Sequence, residues 1–343
     1  MLQFPSMKAP ETTNATNTDW GIVGHDWAVK ILQRSVTLGS VSHAYLFTGP
    51  PGIGKMTLAR ALATALLCQD TERALCGACR ACRLLASGNH PDLHIIESER
   101  VGARLKIEQI RDLQRHLALT PVEGKWRVVI LRRFEESTTS AANALLKTLE
   151  EPPPYVVLAV LASDADRLLP TIVSRCQQVP LRPLPVTVVQ QALVERWNAE
   201  AEQAELLAHL SGGRLGWAVR TLTDKAALRR RAQRLDDLDS LLENSVTRRF
   251  RYAEKLARNP VATLETLDLW ISWWRDVVLV AAGADTPLTH VDRRSTLLDH
   301  ANRFGLKQSA AVVKALRSAT DRLRRNANPR LTIEVLMLDL PRP

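Results

Sequence analysis

The stretch Gly49-Pro-Pro-Gly-Ile-Gly-Lys-Met56 decides the fold of this 343-residue chain. It follows an apolar run, Ala44-Tyr-Leu-Phe47, and precedes a helical pattern. A strand, a glycine-rich turn, a lysine and a helix in this order form a P-loop, whose backbone N–H groups surround phosphates while the lysine reaches the terminal ones. The helix N-terminus adds a favourable dipole for an anion. We therefore predict a phosphate-binding loop made by Gly49, Gly52, Gly54 and Lys55.

Apolar and helical stretches alternate outward from the loop, between Asp19 and about Pro180. We predict strands at 44–47, 93–96, 128–131, 156–161 and 177–181, and helices at 56–67, 107–117 and 140–149. This alternation is typical of an α/β domain with a mostly parallel sheet. The proline-spaced stretch Pro180–Pro185 ends it, and only helical patterns follow.

These patterns divide the chain into four predicted segments. Residues 1–18 form a polar, disordered leader, and residues 19–182 form the α/β domain with a cysteine-rich insertion at 68–82. Residues 183–223 form a small helical domain, and residues 224–343 form a larger one.

The composition is that of an ordinary globular protein, with 45% apolar and 24% charged residues. No apolar run approaches the roughly 20 residues that span a bilayer, and the first residues lack the apolar stretch of a secretory signal. We therefore expect a cytoplasmic protein without membrane contact. The net charge of +10 leaves positive charge for a polyanion but does not by itself identify nucleic acid as a partner.

Three positions around the predicted site lack the side chains that hydrolysis needs. Met56 stands where Ser or Thr would bind Mg²⁺, and a thioether is a poor ligand for that cation. Thr57 is one residue late, rotated by about 100° around the helix, although we retain it among the candidate nucleotide-contacting residues. Arg132 and Arg133 follow the strand 128–131, where acids would support Mg²⁺ and activate water.

Glu135 and Glu136 lie three and four residues further along the chain than Arg132, too far to replace the expected acids. We expect these two glutamates to be solvated or to cap the following helix. We predict that the site does not hydrolyse ATP and does not hold Mg²⁺. The glycines and Lys55 still allow ATP or ADP to bind without hydrolysis.

Four cysteines lie within fifteen residues: Cys68, Cys76, Cys79 and Cys82. Four thiolates with two CxxC steps suit a tetrahedral structural Zn²⁺ with no open position. The alternative is a set of free thiols or a redox pair. His90 is surplus to a four-cysteine site, and Cys176 is remote from it and expected to be buried.

Several longer motifs resemble the clamp-loader AAA+ subunits of bacteria. These are Ser42–Phe47 before the P-loop, the four-cysteine insertion, Asn143–Pro153 and Leu168–Cys176, and the resemblance spans about Trp20 to Gly216. The C-terminal stretch Asn326–Leu331 resembles the end of the non-hydrolysing members of that family.

The resemblance implies an AAA+ domain, a helical lid at 183–223 and an oligomerising collar at 224–343. It implies a pentamer with ATP at subunit interfaces, in which Arg175 serves as an arginine finger for a neighbouring site. The implied partners are motor (gamma/tau) and delta subunits, and through the complex a sliding clamp and primed DNA.

Two further positions bear on this resemblance. In Gly213-Arg-Leu-Gly216, Gly216 occupies the place of the sensor arginine of motor members, and Arg214 is a candidate stand-in. Trp270, Trp273 and Trp274 have helical spacing, which favours a core or a subunit interface. The arginine clusters at 229–231, 248–249 and 324–325 could face DNA phosphate, but we interpret them as solvated helix faces.

Two other functions compete with a passive, arginine-supplying subunit. An active motor-type (gamma/tau) ATPase is disfavoured by Met56, Arg132, Arg133 and Gly216. An independent zinc-dependent DNA-binding protein would need basic and aromatic residues in the cysteine loop, which contains Arg80 and Arg83 but no aromatic residue.

Overall fold

The computed structural model describes residues 20–70, 74–99, 103–325 and 327–341. The predicted leader at 1–18 and Asn326 lie outside these residues. The chain divides into two compact units, with the boundary between Pro183 and Leu184.

The first unit alternates helices and strands as the sequence predicts. Its elements are α1 (Asp26–Thr37), β1 (Ala44–Thr48), α2 (Lys55–Leu67), α3 (Arg80–Ser87), β2 (Leu93–Ile96), α4 (Ile107–Leu117), β3 (Arg127–Leu131), α5 (Thr139–Glu150), β4 (Val156–Ala162), α6 (Pro170–Val173) and β5 (Gln177–Pro180).

The five strands form one parallel sheet in the order β2-β3-β4-β1-β5. Leu46 of β1 pairs with Val160 of β4, and Ile130 of β3 pairs with Ala159 of β4. All residues of β1, β3 and β4 are buried, which explains their uninterrupted apolar sequences, since helices cover both faces of a parallel sheet. The predicted α/β fold with a P-loop and a parallel sheet is confirmed.

The sheet places the P-loop at the carboxyl end of its inner strand β1, between the ends of β4 and β5. Ligands of parallel α/β sheets bind beyond this edge, where strand order reverses. The residues that follow β3 and β4 reach the same edge, so their side chains decide the chemistry near the loop.

The second unit is helical throughout its described residues. It contains α7 (Val186–Trp197), α8 (Ala201–Ser211), α9 (Leu215–Thr223), α10 (Lys225–Glu243), α11 (Val246–Ala257), α12 (Pro260–Ala281), α13 (Arg294–Arg324) and α14 (Pro329–Asp339). Helix α13 is bent at Gly305, whose φ of 63° and ψ of 178° are not helical. Buried residues form one cluster in α7–α9 and another in α10–α14. The division at residues 223 and 224 stays a prediction.

The larger cluster is centred on Trp270, Trp273 and Trp274, whose side chains are fully buried. The Trp273 indole N–H donates to His300 Nδ1 at 3.2 Å, and that of Trp270 donates to the carbonyl of Arg234 at 3.0 Å. The tryptophans are therefore core residues, one of the two roles that the sequence favours.

The interpretation as solvated helix faces is wrong for Arg231 and Arg249, which are 7% and 1% exposed. Arg249 lies inside the same unit as the tryptophans. Its guanidinium donates to five carbonyl oxygens, near the ends of α10 and α14: Leu241, Leu242, Met337, Leu340 and Pro341. A cation at helix C-termini is favoured by the helix dipole. The side chain thus ties these two helix ends together. None of the described helices has both the length and the apolar composition to cross a bilayer.

Candidate functional site

The glycines of the P-loop have backbone conformations that other residues rarely adopt. Gly49, Gly52 and Gly54 have φ values of 138°, 83° and 116°, in the left-handed region. A Cβ atom on Gly49 would lie 2.6 Å from the carbonyl oxygen of Leu181, which follows β5. Gly49 thus packs too closely against the residue after β5 to carry a side chain, and the loop has the glycine-dependent backbone of a phosphate site.

Lys55 begins α2, and its ammonium group lies over the loop. Nζ donates to the carbonyl oxygen of Pro50 at 3.1 Å and to that of Gly49. Burial lowers the pKa of Lys55 to about 8, although the nearby Glu135 carboxylate acts in the opposite direction. A phosphate would compensate the burial of this ammonium, so the loop, Lys55 and the α2 N-terminus fit the phosphates of a nucleotide.

His25 supports the loop from the start of α1, a contact that the sequence did not predict. Its Nε2 lies 3.2 Å from the carbonyl oxygen of Ile53, and a carbonyl can only accept, so Nε2 carries the proton. Burial lowers the pKa of His25, which favours the neutral ring. The two residues are 28 positions apart, and no local signal in the sequence joins them.

Met56 and Thr57 occupy different surroundings on α2. The Met56 side chain is half-buried and packs against the core that includes Ile53 and Leu58. Thr57 is exposed one position later. Met56 thus acts as a packing residue in the position where a P-loop ATPase has its magnesium ligand.

Arg132 and Arg133 follow β3 and share the carboxylate of Glu97. Arg132 Nη1 lies 2.9 Å and Arg133 Nη1 3.0 Å from Glu97 Oε2. Arg133 also donates to Glu136 Oε2 and to Ser98 Oγ, at 3.0 Å each. Burial, and to a smaller extent the charge of Arg132, lower the pKa of Arg60 in α2.

The expectation that Glu135 and Glu136 are solvated or cap the next helix is wrong. A 3₁₀ turn, Phe134–Glu136, folds both acids back toward the sheet. Glu136 accepts from Ser98 Oγ at 2.8 Å, while α5 is capped by the hydroxyl of Thr138.

Glu135 lies beside the P-loop. Its Oε1 accepts the backbone N–H of Ser163 at 3.0 Å, and the Ser163 carbonyl accepts the N–H of Gly49 at 3.2 Å. Oε2 is buried and has no hydrogen-bond partner among the described residues. The loop therefore has one carboxylate in its surroundings, close enough to act on Lys55.

The four cysteines of the insertion come together at the end of α2 and the start of α3. Neighbouring Sγ atoms lie 3.6 to 4.0 Å apart, and all four lie within 4.8 Å of one another. A zinc tetrahedron with Zn–S distances of about 2.3 Å has edges of about 3.8 Å. The N–H groups of Cys79 and Cys82 donate to Cys76 Sγ and Cys79 Sγ at 3.3 and 3.4 Å. The cluster fits a tetrahedral metal ion.

Cys176 is buried, as predicted, and lies outside this cluster. Burial raises the pKa of its thiol to about 12, which keeps it protonated. His90 is likewise absent from the cluster.

Arg175 lies at the surface between α6 and β5, with 36% of its side chain exposed. Its Nη1 donates to the carbonyl oxygen of Thr171 at 2.9 Å, and Nη2 lies 2.9 Å from Glu150 Oε1. The guanidinium is thus held at the end of α5 while remaining accessible.

Arg214 is engaged within the second unit. Its Nε donates to the carbonyl oxygen of Ser211 at 2.7 Å, and its guanidinium lies 5.7 Å from the centre of the Trp217 ring. Burial lowers its pKa, and the Asp268 carboxylate opposes that effect. These contacts are those of a structural side chain.

Comparison with known proteins yields a consistent set of relatives. A family model described as DNA polymerase III, delta subunit, matches residues 24–185. The chain is 30% identical over 315 residues to DNA polymerase III subunit delta' of Bacillus subtilis, covering 91% of this chain and 94% of that one. It is 41% identical over 208 residues to subunit delta' of Pseudomonas aeruginosa, covering 60% and 63% of the two chains.

Subunits named tau or gamma/tau share a shorter stretch. The chain is 36% identical over 211 residues to subunit tau of Escherichia coli, covering 60% of this chain and 32% of tau. Among solved structures, a DNA polymerase III gamma subunit-related protein of Thermotoga maritima is similar, with 19% identity and a TM-score of 0.40 over 90% of this chain and 97% of that one.

Proposed function

Because this chain belongs to the DNA polymerase III delta-prime family, we propose that it is a non-hydrolysing clamp-loader subunit that supplies Arg175 to a neighbouring motor subunit. The partners in this proposal are gamma/tau and delta subunits, and the complex acts on a sliding clamp and primed DNA in the cytoplasm. The observation that carries the proposal is the pairing of an accessible arginine with a P-loop that lacks its magnesium ligands.

The surface position of Arg175 supports a role in trans. Its partner Glu150 is half-exposed, and exposed ion pairs contribute about 0–1 kcal/mol because water and salt screen them. Arg175 can therefore leave Glu150 for a more strongly charged acceptor at little cost. The γ-phosphate on a neighbouring subunit is such an acceptor, and a guanidinium neutralises the charge that develops on it during transfer.

The surroundings of the chain's own P-loop support the absence of hydrolysis. Met56 packs into the core, and Arg132 is bound to Glu97 at the end of β3. No oxygen ligand thus stands at either position where Mg²⁺ is normally held. The P-loop nevertheless retains hydrogen-bond donors for a bound ATP or ADP, on Gly49, Gly52, Gly54 and Lys55. Thr57 lies at the edge of this site.

Zinc has a structural role in this proposal. The ion would be held by Cys68, Cys76, Cys79 and Cys82, and it would link the end of α2 to the start of α3. When bound, the ion supplies folding free energy and leaves no position open for a reaction.

One observation favours the second candidate, a motor-type ATPase. Glu135 lies near Lys55, where an acid would serve hydrolysis, and its Oε2 has no hydrogen-bond partner within the part of the chain that the structure describes. Against it, Glu135 Oε1 is fixed by Ser163, and Met56 offers no oxygen ligand.

Steady-state ATP hydrolysis by the purified chain separates the two candidates. We expect the wild-type chain to match Lys55→Ala and Glu135→Gln, at the background rate. Turnover that is abolished by both substitutions would establish the motor-type function instead. Arg83→Gln, an exposed substitution outside the loop, is the control for the purification.

A further inference from the structure

Helix α13 and Arg325, the residue directly after it, present cations along one exposed face beyond the bend at Gly305. This basic face consists of Lys307, Lys314, Arg317, Arg322 and Arg325, all exposed. At about 100° per residue they lie within an arc of roughly 140° on the helix, opposite its buried side. Four of them line one surface hollow with Ser318 and Asp321.

Acidic partners are scarce along the basic face. No ion pair to any of its five members is found among the described residues, whereas exposed arginines such as Arg230, Arg258 and Arg330 each pair with a carboxylate. One acid, Asp321, lies among the five, and it already has a polar partner. The positive charge of the face is therefore largely uncompensated.

The form of the basic face indicates what kind of anion it fits. Lys307 and Arg325 are separated by about 27 Å along the helix, at about 1.5 Å per residue. Apart from Asp321, the residues between the cations on this side are small, with Ala310, Ala311 and Ser318 exposed. A band of cations about 27 Å long, beside mostly small residues, suits a regularly charged and extended polyanion.

We propose that the basic face binds the phosphate backbone of duplex DNA. A protein partner is disfavoured because the centres of protein interfaces are depleted in charged residues and enriched in apolar and aromatic ones, which this face lacks. Single-stranded DNA is disfavoured because its binding sites use aromatic side chains on which bases stack. Contacts to phosphate alone are independent of sequence and require only positive charge at suitable spacing.

The inference goes beyond the proposed clamp-loader role and uses neither Arg175 nor the P-loop. It assigns this second-unit helix a direct contact with DNA. The binding it describes is sequence-independent and decreases with salt because counterions are released from the duplex.

The test is binding of the full chain to a fluorescent duplex over a series of salt concentrations. The basic-face variant carries Lys314→Gln, Arg317→Gln, Arg322→Gln and Arg325→Gln. The control variant carries Arg115→Gln, Arg230→Gln, Arg258→Gln and Arg330→Gln, which remove the same charge from exposed, acid-paired positions. We expect the basic-face variant to bind about tenfold or more weakly at low salt, with a salt slope smaller by about 3 to 4.

A second variant retains the positive charge, so it distinguishes loss of charge from a disturbance of the helix by glutamine. It carries Arg317→Lys, Arg322→Lys and Arg325→Lys. Because a phosphate backbone accepts point charges, we expect this variant to bind duplex nearly as well as the wild type. Equal loss of binding in the basic-face and control variants would overturn the proposal. Loss of binding in the lysine variant, or equal competition by a single strand, would overturn it as well.

Discussion

The carboxylate of Glu150 holds the guanidinium of Arg175 at the protein surface, with Oε1 and Nη2 2.9 Å apart. Glu150 is the last residue of α5, and Arg175 follows α6, so the contact joins the ends of two helices. The contact orients the arginine, and its exposure allows another anion to replace Glu150.

Glu150→Gln tests whether this ion pair only orients Arg175. We expect the free energy of unfolding to change by less than about 1 kcal/mol, because the pair is exposed to solvent. Urea unfolding of the wild type and the variant measures the change. A loss of several kcal/mol would contradict the account, since Arg175 would then be fixed as a structural residue.

Substitution of one insertion cysteine should remove the metal. We expect about one zinc ion per wild-type chain and substantially less in Cys82→Ser, because three thiolates with a weaker fourth ligand bind zinc less tightly. Release of zinc to a coloured chelator measures the content. Cys176→Ala is the matched control, since Cys176 lies outside the cluster, and it should retain the full amount.

The lowered pKa of Lys55 predicts a pH dependence of stability. Its folded-state pKa is about 8, below the ordinary value of 10.5, so the folded chain releases this proton first as pH rises. The cost of burying the charge is fully present below pH 8 and disappears between about pH 8 and 10.5.

Lys55→Met should therefore be more stable than the wild type near pH 7, by roughly 1–3 kcal/mol, because one pKa unit corresponds to about 1.4 kcal/mol. Urea unfolding of both proteins at pH 7 and above pH 10.5 gives the difference, which should shrink at the higher pH. A constant difference at both pH values would show that Lys55 is not desolvated.

Arg249→Met should destabilise the second unit. The substitution leaves five buried carbonyl oxygens without their guanidinium donors, and we expect a loss of about 3–5 kcal/mol. Arg248→Met, at the exposed neighbouring position, should change the free energy of unfolding by about 0.5 kcal/mol or less. Thermal unfolding of the two variants compares them directly.

The sequence predicted the strands well because the central ones are buried on both faces. Continuous apolar runs such as Val128–Leu131 and Val156–Leu161 have few alternatives to a parallel sheet once a P-loop is recognised. The short spacing of the four cysteines also predicted correctly that their side chains lie close together. These features are local, so a single sequence carries them.

Contacts between distant residues were not predictable in the same way. His25 meets Ile53, and Glu135 meets Ser163, only because the sheet brings the ends of separate strands together. The error on Glu135 came from expecting the acids after β3 to be solvated or to cap the next helix, whereas a 3₁₀ turn places Glu135 beside the P-loop. The five carbonyl partners of Arg249 likewise depend on tertiary packing.

The central claim is that Arg175 acts on the ATP of a neighbouring subunit. The most direct test is ATP turnover by the motor subunit in a complex reconstituted with this chain and the delta subunit. Arg182→Ala, at an exposed position of the same unit, is the matched control, and complex formation is checked for every variant by size-exclusion chromatography. We expect Arg175→Ala to lower turnover by about 10³-fold at the site it serves, with Arg182→Ala unchanged. Wild-type turnover in an intact complex carrying Arg175→Ala would contradict the claim.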